Sequence, residues 1–462
     1  MAILPDIVIS DFAAQIRGEV VLPADPSYDV VRQVWNAMID RRPGMIVRCA
    51  GVSDVMQAVS LARQHDLLLA VRSGGHNIAG NAVCDDGLMI DLSQMKSVRI
   101  DPDKRRAYVE PGACLGDFDH EAQAFGLVTP LGINSTTGVA GLTLGGGFGW
   151  LSRKYGLTAD NLVSADMVTA DGELVHASAT ENPDLFWGLR GGGGNFGIVT
   201  HFEFELHPVG PEILAGLIVF PANQASDVLN SYRSYVATIP DEMNVWVVLR
   251  KAPPLPFLPE EVHGQDVVVL ALFYAGEESQ GQELVEPLRG FGTSHGEHVG
   301  MMPYTAWGKA FDPLLTPGAR NYWKSHNFTQ LSDEALATII DYAGNLPSDH
   351  TEIFIGLLGG ETSRIKTNAT AYAQRDAQFV MNVHARWESA TDDQRCISWA
   401  REFFDASAPY ATGGVYINFM TEEEGDRVEA AYGTGYQRLV QLKEKYDPGN
   451  LFRLNQNIKP AT

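Results

Sequence analysis

The chain has 462 residues, 45% of them hydrophobic, and a formal net charge of −23, enough for two or three structural units each burying its own core. So acidic a balance argues against a nucleic-acid partner, which needs concentrated Lys and Arg, and no apolar run approaches the roughly 20 residues that cross a bilayer. The cysteines Cys49, Cys84, Cys114 and Cys396 show neither CxxC nor His–Cys spacing, so neither a metal site nor a disulfide framework is expected.

The N-terminal segment "MAILPDIVISDFAAQI" lacks a basic start followed by an apolar stretch and a small-residue cleavage site, which makes the cytoplasm the expected compartment. "VSDVMQAVSLARQHD" repeats Val55, Val59 and Ala62 at helical spacing, with Ser53 as the expected cap. A strand over 67–72 runs into the turn Arg72-Ser73-Gly74-Gly75-His76, and short strands follow in "GLMIDL", "SVRID" and "RAYVEPG". "LGDFDHEAQAFG" reads as a helix closed by Gly126. Residues 132–149, "GINSTTGVAGLTLGGGFG", are nearly all small, a composition that suits neither a core helix nor a core strand and marks backbone approached closely by something large.

A second cluster, "GGGGNFGIVTHFEFELHP", contains a formal G-x-G-x-x-G at Gly192, Gly194 and Gly197. A nicotinamide-binding fingerprint must open a helix. Here Ile198, Thr200, Phe202, Phe204 and Leu206 alternate with more polar residues, so a half-buried strand follows and that reading fails. From about 209 to 414 strand-like runs ("VWVVLRK", "DVVVLALFYA", "EIFIGLL") alternate with helix-like ones ("SDEALATIIDYAGN"), which predicts an antiparallel sheet with helices on one face. Backbone N–H groups of Ser73, Gly74 and Gly75, with Arg72 beside them, could converge on an anion. Three glycine-rich segments without a P-loop lysine point to a bound dinucleotide rather than a hydrolysed nucleotide.

Four segments, "VRSGGHN", "GVAGLTLGGGFGWLSRKYGLTADNL", "LFWGLRGGGGNFGIVT" and "YDPGNLFRLNQNI", together resemble the berberine-bridge-enzyme-like flavin oxidases of the vanillyl-alcohol-oxidase/PCMH superfamily. The resemblance implies an α+β fold: a PCMH-type FAD-binding domain over 1–208, a substrate domain over 209–414 with an antiparallel β-sheet covered by helices, and a return to the first domain over 415–462. It implies FAD bonded covalently to His76, whose neutral imidazole is nucleophilic. It also carries cofactor contacts onto Arg72, Ser73, Gly74, Gly75, Asn77, Gly138, Gly141, Gly146, Gly149, Asp160, Asn161, Gly194, Gly197, Val199, Asn418, Asn455 and Asn457. Many relatives attach FAD a second time through a cysteine in G-x-C-x-x-x-G. Asn134 stands at that position here and supplies no thiolate, so a single attachment is predicted, with a less oxidising flavin poorly suited to closed sugars. Thr137 matches the position that gates oxygen, and its small size favours access.

The implied reaction moves a hydride from an alcohol or amine of a small molecule to the flavin, which dioxygen then reoxidises to give hydrogen peroxide. The alternatives are a dehydrogenase or oxidative cyclase with another acceptor, and a flavin carrier without turnover. Four residues are candidates for the chemistry, and three of them, Tyr416, His384 and Lys324, for the base. Tyr416 shares a predicted strand face with Asn418 in "GGVYINFM" and is either the base or a buried tyrosine with a satisfied hydroxyl. Asn382 and His384 share a face of "FVMNVHARW", the amide suited to binding and the imidazole to proton transfer. Lys324 in "NYWKSHNF" comes last, as a solvated lysine. Cys114 reads as a small buried residue, and oligomeric state is not legible.

Overall fold

A computed structural model describes residues 4–461. The N-terminal region builds a four-stranded sheet in the order Glu19–Val21, Met45–Arg48, Leu88–Asp91, Leu69–Arg72. Its last three strands are parallel, because the helix Val52–Gln64 carries the chain across between two of them. That helix buries Val55, Ala58, Val59 and Ala62, as the periodicity predicts. Ser53 does not cap it. The helix begins at Val52, two residues earlier than that cap implies, which places Ser53 inside the first turn, and the Asp54 carboxylate instead accepts from the backbone N–H groups of Ala50, Arg17 and Gly18 at 2.8–2.9 Å.

A five-stranded antiparallel sheet follows, in the order Val98–Asp101, Arg106–Val109, Gly197–Glu205, Leu162–Thr169, Leu174–Ser178. The strand Gly197–Glu205 confirms that the glycine cluster opens a strand and not a helix. The helix Leu115–Gln123 precedes Gly126, whose φ of +64° suits a residue without Cβ. Within the small-residue segment, however, a short helix does form, Val139–Leu144. Val139, Ala140 and Thr143 supply just enough buried surface for it, and Thr143 Oγ1 donates back to the Val139 carbonyl at 2.7 Å.

The largest sheet has seven antiparallel strands, in the order Gly296–Pro303, Glu212–Pro221, Asp266–Tyr274, Met243–Lys251, Glu352–Leu357, Phe379–Trp387, Arg320–Phe328. Helices Ala225–Val236, Asp333–Ala343 and Asp393–Ser407 join it in one core through Leu229, Tyr232, Ile339 and Phe403. Ser332 caps the second of these, accepting from Ala335 N at 3.1 Å. The opposite face of the sheet turns toward the glycine segments.

The C-terminal stretch packs against the first lobe. Lys443 and Asp447, both fully buried, pair at 2.6 Å. Lys443 also donates to the carbonyls of Asn195 and Phe452, and Asp447 accepts from the N–H groups of Leu451 and Phe452. With its hydrogen bonds filled in this way, the ion pair can lie out of water and tie the tail to the second glycine cluster. Residues 416–418 are not a strand. Ile417–Phe419 is one turn of 3-10 helix, and it still brings Asn418 Nδ2 to 3.0 Å from the Tyr416 hydroxyl.

Candidate active site

Between the lobes lies a cavity of about 350 Å³. One wall begins at the turn after Leu69–Arg72, where Ser73, Gly74, Gly75, His76 and Asn77 border the space. Gly74 is a glycine for a reason internal to the protein: a Cβ there would stand 2.3 Å from the backbone nitrogen of Gly138, so the two segments touch main chain to main chain. Gly141 and Gly194 differ. They border the cavity, and a Cβ at either meets nothing within 4 Å. Among the described residues, the backbone N–H groups of Gly74, Gly75, His76 and Asn77 donate to no backbone carbonyl. Bare backbone, unspent donors and a long cleft suit a cofactor with a pyrophosphate, and FAD fits these residues.

The His76 ring, half-buried, stacks on Trp35 at 5.2 Å between centroids. Burial pushes its pKa down to about 4, so it is neutral at pH 7. Its tautomer follows from its partners. Asn134 Oδ1 only accepts, and takes the Thr136 hydroxyl proton at 2.7 Å. Thr136 Oγ1, 2.9 Å from His76 Nε2, therefore accepts from it, and the free lone pair is on Nδ1.

Thr137, Gly138, Asn134, Gly197 and Val199 also line the cavity, as do Asn418 and Asn455. Seven predicted residues do not border it. Arg72 faces its register partner Asp91, 2.7 Å away, and donates to the carbonyls of Val31 and Gln33, so it is not free for an anion. Asp160 holds Arg375 through two 2.7 Å bonds, and Asn161 braces the carbonyls of Tyr155 and Leu157. Gly146 and Gly149 make room for the Tyr372 ring and the Leu131 carbonyl. Asn457 Oδ1 is buried away from the cavity without a partner. Lys324 is not solvated: it is buried and paired with Glu423 at 3.0 Å, because alternation along its strand sends Trp323, not Lys324, into the cavity. Cys114 is half-buried at the start of its helix.

The facing wall comes from the seven-stranded sheet, and the C-terminal segment adds Tyr416 from beside the glycine segment. Tyr416 Oη accepts from Gly147 N at 3.2 Å and Asn418 Nδ2 at 3.0 Å, so its own proton remains to be donated. Burial outweighs both donors and pushes its pKa up to about 12. Asn382 Oδ1 has no hydrogen-bond partner. His384 lies beside Glu352 in register, its Nδ1 3.2 Å from Oε1, while its Nε2 is 3.3 Å from Asn321 Oδ1. The Asn321 amide cannot be turned round, because its Nδ2 donates to Ala319 O and its Oδ1 accepts from Arg386 Nη1. Both ring nitrogens thus face acceptors. A neutral imidazole carries one N–H, which leaves one of these contacts short of a proton. Burial lowers the His384 pKa, with Glu352 pulling it back only in part. Burial alone would raise the Glu352 carboxyl, but Arg250, His384 and Arg386 outweigh it and bring it to about 2.

Sequence reasoning missed Glu352, Asn321, Thr136 and Trp35. Alternation in "EIFIGLL" could have placed Glu352 with Phe354, but its pairing with His384 depends on register across 32 positions.

A two-lobed fold closing on a glycine-walled cleft opposite proton-handling side chains defines an FAD-dependent oxidoreductase. An "FAD binding domain" family model matches residues 43–178, and a "Berberine and berberine like" model matches 415–459. An FAD-linked oxidoreductase of Dictyostelium discoideum is 31% identical over 98% of this chain and 97% of its own. (R)-6-hydroxynicotine oxidase of Paenarthrobacter nicotinovorans is 31% identical over 96% and 97%. The crystal structure of 6-hydroxy-D-nicotine oxidase from Arthrobacter nicotinovorans superposes with a TM-score of 0.87 at 29% identity, covering 96% of this chain and 98% of that one. The chain belongs to the berberine-bridge-enzyme-like FAD-linked oxidoreductases of the PCMH superfamily.

Proposed function

We propose that this protein is an FAD-linked oxidase that holds FAD through one covalent bond to His76, oxidises an alcohol or amine of a small molecule, and passes the electrons to dioxygen to give hydrogen peroxide. The observation that carries the reading is a single cavity with a neutral imidazole at one wall, Asn382, His384 and Glu352 at the other, and Tyr416 on its border from the C-terminal segment. Bound FAD supplies the hydride acceptor. The chain's nucleophile for the bond is Nδ1 of His76, which Thr136 and Asn134 leave unprotonated. The bond would take the place of one hydrogen of bound FAD and of the His76 imidazole proton, a two-electron, two-proton oxidation for which dioxygen would be the acceptor. Asn134 thereby serves the attachment it was expected only to limit.

Tyr416 stays a phenol at neutral pH and donates to the substrate heteroatom. Asn382 orients the substrate through its amide. The proton released from the substrate goes to the His384–Glu352 pair, where it fills the contact that a neutral imidazole leaves empty. Thr137, small and on the cavity wall, supports dioxygen as the acceptor. The nicotine-oxidase relatives make hydroxylated cyclic amines the first substrates to try. The reading is tested by reducing the holoenzyme with light under nitrogen and admitting air. Reoxidation within seconds with one peroxide per flavin is expected, whereas flavin that stays reduced in air would make the protein a dehydrogenase.

A further inference from the structure

A second cavity, of about 60 Å³, opens beside the first, and Ile133, Trp246, Leu315, Glu352 and Phe354 line both. Its floor is one face of the large sheet, and strand register explains its shape. Asn382, Phe354, Val248, Val269 and Val219 are successive cross-strand neighbours, forming a row that runs from the reacting end of the main cavity to the far end of the second. Alongside it runs a polar row, His384, Glu352, Arg250, which ends against Val267. Strands lie about 4.8 Å apart, so the second cavity begins roughly 5–10 Å from Asn382 and His384. Its cover is apolar as well: Leu255 and Leu258 from one loop, Phe311 and Leu314 from another.

Val219, Val267, Val269 and Leu258 are buried in one cluster, but the rest of the lining is not closed over as a core would be. Val248 lies on the fourth of seven strands, where complete burial is the rule, yet it is only half-buried, as are Leu217, Leu255 and Phe311. The one ion pair at the threshold, Arg250 with Glu352 at 2.6 Å, is already satisfied and offers a neutral sill. Apolar surface of this kind gains about fourfold in affinity for each methylene it removes from water. By the measure in which one water needs about 10–15 Å³, the space holds about four to six non-hydrogen atoms.

We infer that the second cavity is a subsite for an apolar arm of the substrate: the protein takes an amine or alcohol whose reacting carbon lies by His384 and Tyr416 and which carries an unbranched alkyl or flat aryl arm of about four to six atoms into the space over Val248 and Val269. This rests on the oxidase reading for the position of the reacting end, but it is tested by binding alone. The FAD-loaded protein is titrated with n-alkylamines from butyl to decyl, following the flavin absorbance. Affinity rises about fourfold per methylene over four to six consecutive members and then levels off. Val248→Phe, which fills the floor, removes most of that rise while leaving the butylamine affinity unchanged. Leu255→Ala, which thins the cover, moves the plateau to longer chains. An affinity independent of length in the unmodified protein, or the same rise in Val248→Phe, overturns the subsite. Lack of turnover of any amine would count against the oxidase reading and leave this measurement standing.

Discussion

On the first-lobe wall of the cavity, His76 and its partners apart, the decisive residues are those without side chains. On the sheet wall they are large or charged and fixed by their strand neighbours. Gly141 and Gly194 leave space that no protein atom fills. Glu352 and His384 fill theirs with groups whose partners are set by register. The first wall is shaped for a cofactor that must always fit. The second is shaped for chemistry, where one substitution alters a proton's position without altering the fold. Even among the glycines the rule divides, since Gly74 serves the contact between two segments and Gly141 serves the cleft.

That division gives the largest expected effects. Gly74→Ala drives a Cβ to 2.3 Å from the backbone nitrogen of Gly138 and should cost about 3 kcal/mol in a denaturant titration. In Gly141→Leu the new Cβ meets no protein atom within 4 Å, and the position lies in a helix bordering the cavity, so the protein should fold about as stably as before. It should nevertheless bind FAD roughly ten- to a hundredfold more weakly. Equal stability losses in the two variants would erase the distinction.

On the sheet wall, His384→Gln keeps the shape and removes the proton site, and should slow anaerobic flavin reduction by about 10²–10⁴. In the unmodified protein the rate should fall on the acid side only below the ordinary histidine value of 6.5, because burial lowers the His384 pKa and the neutral ring is the competent one. The variant should lose that limb.

How much of this was legible in the sequence follows the same line. Glycine clusters, alternating strands and amphipathic helices are local patterns, and they gave the glycine-walled lobe, the antiparallel sheet and the helix end near Gly126. Partners across strands are not local. Arg72 was assigned to an anion because Asp91, its register partner, lies 19 residues away. Lys324 was a base candidate because alternation alone does not say whether it or Trp323 faces inward. Tyr416 and Asn418 meet as expected, but through a 3-10 turn, since side chains two apart on a strand and around a tight turn share the same spacing in sequence.

A further effect, confined to acid pH, separates the cavity face of the sheet from its helix-covered face. His326, on the latter, stacks on Phe404 at 4.2 Å and donates Nε2–H to its carbonyl, while Nδ1 has no partner. Burial lowers its pKa from 6.5 to about 4, so the unfolded chain takes up this proton first. Its contribution is therefore intact above pH 6.5 and is lost as pH falls toward 4, by about 3 kcal/mol in all. In acid-unfolding curves His326→Phe should remove that part of the slope without changing flavin reduction.

The tether at His76 is tested most directly by the mass of the denatured protein. A chain heavier by one FAD, with the added mass on the peptide that contains His76 and absent from His76→Ala, is the predicted result. A denatured chain at its bare polypeptide mass, with all the flavin in the supernatant, would contradict it.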